Sequence, residues 1–286
     1  MIPSAFDYFA PDSLDEALKL LAEQPEAKLL AGGHSLLPMM KLRLAAPRAV
    51  IDLGRVPGLR YLREDGDRIV VGAMTTHAEI EKSELLRRRA PLLAEAAAEI
   101  GDVQVRNRGT IGGAAAHADP AADYPAALLA LDAEFVLVGG RGTRTIAAKD
   151  FFLDMLTTAL QAGEILTEIR FAADAPHTGS AYKKLHQPAS GFAIVGVAAR
   201  VRLDGGYCAA AAVGVTGVAP KPYRAAAVER VLVGQTLDAK RIAQAAAKAA
   251  EGIEPLADLH ASARYRRAMA KVFTRRALTA AFDRAR

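Results

Sequence analysis

A chain of 286 residues, about half of them hydrophobic and a quarter charged, has ordinary globular chemistry and the length of two domains, or of one large and one small. The formal charge of +5 is dispersed, aromatic residues make up 6% and tryptophan is absent, so there is no stacking platform and no nucleic-acid partner is expected; a mildly basic surface facing an acidic partner suits the charge better. The one cysteine, Cys208, can make no internal disulfide and cannot hold an iron–sulfur cluster, which takes about four ligands.

The N-terminal stretch MIPSAFDYFAPDS lacks a basic region followed by an apolar one, and no window approaches about 18 uninterrupted apolar residues. The expectation is a cytoplasmic protein without a transmembrane segment, or one peripheral at the inner membrane face. Ser13-Leu14-Asp15-Glu16 is a capping box that opens a helix to about residue 23, with Leu14, Leu18 and Leu21 on one face. Residues 27–31 read as a short buried strand ending in a glycine turn. Residues 36–42 follow as a short helix with Pro38 in its first turn, and residues 49–53 as another strand. A strand at 68–71 precedes a second capping box, Thr76-His77-Ala78-Glu79, and a helix at 91–100 stops at Gly101. A helix at 123–131, a hairpin of 134–138 with 144–146, and a strand at 164–171 complete a mixed α/β front. After Pro176, residues 192–202 and 207–218 flank Asp204-Gly205-Gly206 as a long hairpin. Helices follow at 224–233, 239–251 and 261–280, the last with arginines on its outer face. The boundary between front and back falls near 173–178.

Two glycine turns carry the chemistry. Ala31-Gly32-Gly33-His34-Ser35 brings a backbone free to approach a ligand together with a hydroxyl, and its amides lead into a helix beginning at Leu36. A plain strand-to-helix turn would look the same. The second turn, Thr110-Ile111-Gly112-Gly113-Ala114, again joins paired glycines to a hydroxyl between two helical stretches. Two such cradles about 80 residues apart suit the grip of one elongated ligand, such as a diphosphate-bridged dinucleotide, with Asp123 placed to meet a ribose or neighbouring polar group. Neither turn fits the GxGxxG or GxxxxGK[ST] template.

Together AGGHSLLPMMKLR and RNRGTIGGAAAHADPAADYPAALLALDA resemble the FAD-binding medium subunits of the molybdenum hydroxylases, the family of aerobic carbon monoxide dehydrogenase and of the xanthine dehydrogenase flavin domain. The resemblance spans the whole chain and includes the segment from Tyr182 to Val197. It implies an α+β protein: a two-subdomain FAD-binding fold of the vanillyl-alcohol-oxidase (PCMH) type over 1–175, with subdomains of about 1–56 and 57–175. A C-terminal α+β domain with a three-stranded antiparallel sheet and helices follows over 176–286.

It further implies FAD held non-covalently. Ala31, Gly32, Gly33, His34, Ser35 and Leu36 would lie on the diphosphate, with Thr110, Ile111, Gly112, Gly113 and Ala114 continuing the grip. Asp123 would meet the cofactor, Leu166 pack beside it, Lys183 reach the flavin, and Phe192 stand where relatives have a tyrosine or isoleucine against the ring. By the same resemblance, a large molybdenum-cofactor subunit and a small [2Fe–2S] subunit are partners in a dimer of heterotrimers. Electrons would run from the clusters through FAD to a quinone, NAD or a carrier, and no catalytic residue other than the flavin is expected on this chain. The alternative is a stand-alone flavin oxidase or dehydrogenase of the same fold; a third reading is a structural subunit without flavin.

Other residues read more plainly. His34 also suits covalent flavin attachment, as in some oxidases of the wider fold, but its LLAGGHSLLP context resembles the non-covalent subunits. His117 and Asp119 make no metal site alone, and Asp119 before Pro120 suits a loop. His77, His177 and His260 read as surface or capping residues, His186 as a residue without an assigned role, Glu99 and Asp102 as helix-end residues, and Cys208 as buried on a strand.

Overall fold

The computed structural model describes residues 2–286. The N-terminal part begins β1 (Asp7–Phe9), α1 (Leu14–Glu23), β2 (Lys28–Leu30), α2 (Leu36–Lys41) and β3 (Ala49–Asp52). These strands form a parallel sheet in the order β1-β3-β2, with α1 and α2 as crossovers. The Ser13 hydroxyl caps α1 by accepting from Glu16 N at 3.1 Å, but Glu16 returns its bond to Asp12 N and not to Ser13, so the box is displaced by one residue.

The next part runs β4 (Leu62–Asp65), β5 (Arg68–Gly72), α3 (His77–Lys82), α4 (Glu84–Arg89), α5 (Pro91–Ala98), α6 (Val103–Arg108), α7 (Ile111–His117), α8 (Tyr124–Ala130), β6 (Glu134–Gly139), β7 (Gly142–Ala147), α9 (Ala148–Phe151), β8 (Phe152–Asp154), β9 (Thr157–Thr158) and β10 (Glu164–Ala172). An antiparallel sheet of order β4-β5-β10-β6-β7 covers the helices, while β8 and β9 form a separate ribbon. Thr76 and Glu79 complete a reciprocal capping box on α3. Asp102 caps α6 through Val105 N at 2.8 Å, and Glu99 ends α5. Leu92, Leu93, Tyr124, Leu128, Phe135 and Phe151 are the bulky centre of the core.

The C-terminal part contains β11 (Thr178–His186), β12 (Ala193–Asp204), β13 (Tyr207–Thr216), β14 (Tyr223–Arg224), α10 (Ala226–Leu232), α11 (Ala239–Ala246) and α12 (Ala263–Ala285). Its antiparallel sheet has four strands where three were expected, because the two residues of β14 pair with Gly214 and Val215. A segment that short carries no periodic signal. One sheet face packs on α12 over Val195, Val197, Val213, Ala277 and Ala281. A Cβ at Gly179 would stand 2.5 Å from Ala285 N, so glycine lets helix and strand touch. The other face carries Tyr182 and Ala198 into the N-terminal core. No helix among the described residues is long and apolar enough to cross a membrane.

Candidate functional site: a cleft between two glycine turns

A cleft of about 1440 Å³ opens where the parallel sheet, the helical layer and the β10–β6–β7 sheet meet. Ala31, Gly32, Gly33, His34, Ser35, Leu36, Thr110, Gly112, Gly113, Ala114, Asp123, Leu166 and Phe192 all line it. The two turns touch: a Cβ at Gly32 would overlap the Arg108 carbonyl and stand 2.6 Å from Gly109 Cα. Gly33 holds a φ of +78°, the left-handed region that glycine enters without strain.

The turns differ in what they offer. The N–H groups of Gly32, Gly33, His34, Ser35 and Leu36 donate to no acceptor among the described residues. They form a run of unused donors with no carboxylate in the turn, fitted to an anion. The second turn has spent its amides. Ile111 N donates to Thr75 O at 3.0 Å, Gly112 N to Ala73 O at 2.8 Å, Gly113 N to Thr110 Oγ1 at 3.1 Å and Ala114 N to Thr110 O at 3.0 Å. Its contribution is close approach and the Thr110 hydroxyl proton. This turn is itself the first turn of α7, a helix hidden in the sequence by its paired glycines. Gly112 is required by packing, since a Cβ there would meet Ala73 Cβ at 2.5 Å. Ile111 is accordingly fully buried in the core and does not face the cleft.

Lys183 does not line the cleft. Along β11 side chains alternate, and a shift of one residue exchanges the faces. Lys183 shares its face with Leu185, which packs towards the core under α12, whereas Lys184 shares the opposite face with Tyr182. Lys184 donates from Nζ to Asp123 Oδ2 at 2.8 Å and to Glu99 O at 2.7 Å, and Tyr182 donates its hydroxyl to Asp123 Oδ1 at 2.6 Å. Asp123 is 4% exposed. Burial pushes its carboxyl up to about 6, against the pull of the Lys184 charge and both hydrogen bonds. Asp123 thus joins the cleft to the C-terminal sheet.

Further wall residues were not read as part of a site in the sequence. Leu18, Leu21 and Ala22 of α1, the β6–β7 hairpin tip from Gly139 to Arg144, and Ile100 and Gly101 complete the cleft. Arg144 is fixed by bonds to both Glu164 oxygens. Gly191 rests on Gly101, so the loop before Phe192 folds onto the α5–α6 corner and leaves the Phe192 ring half-exposed at the cleft. His77, expected at the surface, is 4% exposed and lines the cleft. His177 and His260 are exposed as expected, and His186 pairs with Glu99 at 2.9 Å. Asp119 accepts from Ala121 N at 2.8 Å, making the expected loop, and no group of metal-binding side chains occurs among the described residues. His34 is exposed, with Nδ1 3.0 Å from Gly32 O.

These residues fit FAD. The unused amides suit a diphosphate, glycines leave room for it, and leucine, isoleucine and phenylalanine in the same cleft suit an aromatic ring system. Comparison with known proteins agrees. Residues 4–173 match the FAD binding domain in molybdopterin dehydrogenase, and residues 180–281 the CO dehydrogenase flavoprotein C-terminal domain. The carbon monoxide dehydrogenase medium chain of Hydrogenophaga pseudoflava is 47% identical over 99% of both chains. A solved structure of carbon monoxide dehydrogenase from that organism superposes with a TM-score of 0.97 over 99% of both chains. Quinoline 2-oxidoreductase from Pseudomonas putida 86 superposes with a TM-score of 0.94 at 34% identity, over 100% of both chains. The chain therefore belongs to the FAD-binding subunit family of the molybdopterin dehydrogenases, an oxidoreductase flavoprotein family.

Proposed function

We infer that this chain is the FAD-carrying electron-transfer subunit of a heterotrimeric molybdenum hydroxylase, with the molybdenum cofactor on a large subunit and [2Fe–2S] clusters on a small one. The observation that carries the reading is the run of unused amide donors from Gly32 to Leu36, in contact with a second glycine turn inside one large cleft. When bound, FAD supplies the exchange of electrons between a cluster and an acceptor. The chain's own residues do the rest. The first turn binds the diphosphate, the Thr110 hydroxyl adds a donor, and Leu166 and Phe192 flank the cofactor. Asp123, clamped by Lys184 and Tyr182, presents a fixed acceptor to a cofactor hydroxyl. FAD is held without a covalent bond, His34 being turned back on Gly32 O.

The partners assemble as a dimer of heterotrimers in the cytoplasm and deliver electrons to a quinone, NAD or a carrier. The similarity to chains of both carbon monoxide and quinoline enzymes supports a substrate chosen on the large subunit. A division of the chain at 175/176 is supported by the two domain matches, which end at 173 and resume at 180. The test is the molybdenum and iron content per flavin of the complex purified from its native host. Molybdenum near one per flavin with several irons is expected. Flavin in an intact protein without either metal would sink the assembly and favour a self-sufficient flavin oxidase.

A further inference from the structure

The cleft holds polar atoms that the glycine turns do not account for. His77 Nδ1 is buried and has no hydrogen-bond partner among the described residues. Nε2 is not among the sealed atoms and has no hydrogen bond among the described residues; it stands against Gly109, and His77 is a wall residue of the cleft. The ring stands directly behind the contact between the two turns. A Cβ at Gly109 would lie 2.5 Å from His77 Nε2, Gly109 itself abuts Gly32, and His77 N donates to Gly109 O at 3.0 Å. Tyr124 packs edge-on against the ring at 5.2 Å between centroids and fixes its plane; the Tyr124 hydroxyl is likewise without a partner.

Burial, together with the nearby His34 and Arg106, pushes the His77 pKa down to about 3, so the ring is neutral at pH 7. A neutral imidazole carries a single N–H. An N–H buried without an acceptor costs more than an unused lone pair. The sealed Nδ1 therefore keeps the lone pair and the proton stands on Nε2, free for an acceptor in the cleft.

We propose that His77 donates a hydrogen bond from Nε2–H to a diphosphate oxygen of the bound FAD, a grip between the two glycine turns that neither turn supplies. The assignment rests on the FAD reading above. It makes His77 a binding residue that is buried and directional, and neutral before the cofactor arrives, unlike the lysine or arginine often found on a phosphate.

The test uses the full chain freed of flavin and titrated with FAD. His77→Leu removes the donor and His77→Gln restores one at the position of Nε2. FAD affinity is expected to fall roughly tenfold to hundredfold in His77→Leu and to recover most of the way in His77→Gln. The ³¹P resonances of bound FAD should move in the leucine variant and return in the glutamine variant. In wild type, ¹⁵N-histidine spectra should show His77 as the Nε2–H tautomer, with Nε2 shifting on addition of FAD; this holds the proposal to account even where the leucine variant does not fold. Equal FAD affinity and unmoved ³¹P signals in all three chains would overturn it, as would an Nε2 signal indifferent to FAD. Wild type that binds no FAD at all would instead overturn the cofactor reading beneath it.

Discussion

Asp123 and Lys184 meet as a buried ion pair, Oδ2 to Nζ 2.8 Å, with the lysine side chain fully enclosed and the aspartate side chain 5% exposed. The pair bridges the seam between the helical layer behind the cleft and the C-terminal sheet, and Asp123 also lines the cleft. Removing one partner of such a pair strands the other charge out of water.

Lys184→Met is therefore expected to cost about 3–5 kcal/mol in urea unfolding and to lower FAD retention. Lys183→Ala, on the other face of the strand, should stay within about 0.5 kcal/mol of wild type. The opposite ranking would restore Lys183 as the cofactor-side lysine.

Gly32→Ala should separate the two turns. Its Cβ has nowhere to go against the Arg108 carbonyl and Gly109 Cα, and backbone yields less readily than side chain. A loss of about 1–3 kcal/mol, with weakened FAD binding, is the expected result. Gly140→Ala meets nothing within 4 Å and should leave stability unchanged. Unfolding midpoints and flavin content of the two variants check this.

The acid limb of stability should report His77. Unfolded, its imidazole takes a proton below about 6.5; folded, only below about 3. The unfolded state thus binds more protons across that window, so stability falls as pH falls, with a limiting slope of about 1.4 kcal/mol per pH unit. Asp123 works the other way. Its folded pKa of about 6 lies above the ordinary 3.8, so the folded state binds the proton first and gains stability as pH drops from 6 towards 3.8. The two terms oppose each other in the flavin-free chain. His77→Gln removes the first, so its stability should rise relative to wild type as pH is lowered from 6.5 to 4.5. Urea midpoints across that range that stay parallel for the two chains would contradict the neutral, buried imidazole.

Phe192 is 46% exposed at the cleft. Phe192→Ala should leave the unfolding midpoint within about 0.5 kcal/mol and increase quenching of bound flavin fluorescence by iodide. Unchanged quenching would move the ring away from Phe192.

The parts legible in the sequence were those that carry strong local signals. Ser13 and Thr76 announced helix starts, and the 204–206 turn announced the long hairpin; Asp102 was read only as a helix-end residue, and α6 behind it was not foreseen. The first glycine turn was legible as a turn that could be a cradle or a plain strand-to-helix link; that its amides stay unused is visible only in the fold. The second was legible as a motif but not as the start of α7, since Gly112 and Gly113 lower local helix propensity and serve contacts with Ala73 and Ala31 that only the fold creates. The strands β4, with a polar solvent-facing sequence, and β14, with two residues, had no period to read. His77 looked like an ordinary first-turn residue because its burial comes from Tyr124 and Gly109, distant in sequence. The choice between Lys183 and Lys184 depends on strand phase, which neighbouring identical residues conceal.

The cleft is walled by segments as far apart in the chain as Leu18 and Phe192, with Ala31, Thr110 and Leu166 between. A molecule seated there ties remote parts of the polypeptide together without a covalent bond. It favours the folded chain by RT ln(1 + [L]/Kd), about 2.7 kcal/mol at a hundredfold excess over Kd. By the same linkage, loss of the seated molecule lets the chain open more often, and its stability follows the supply of what fills the cleft.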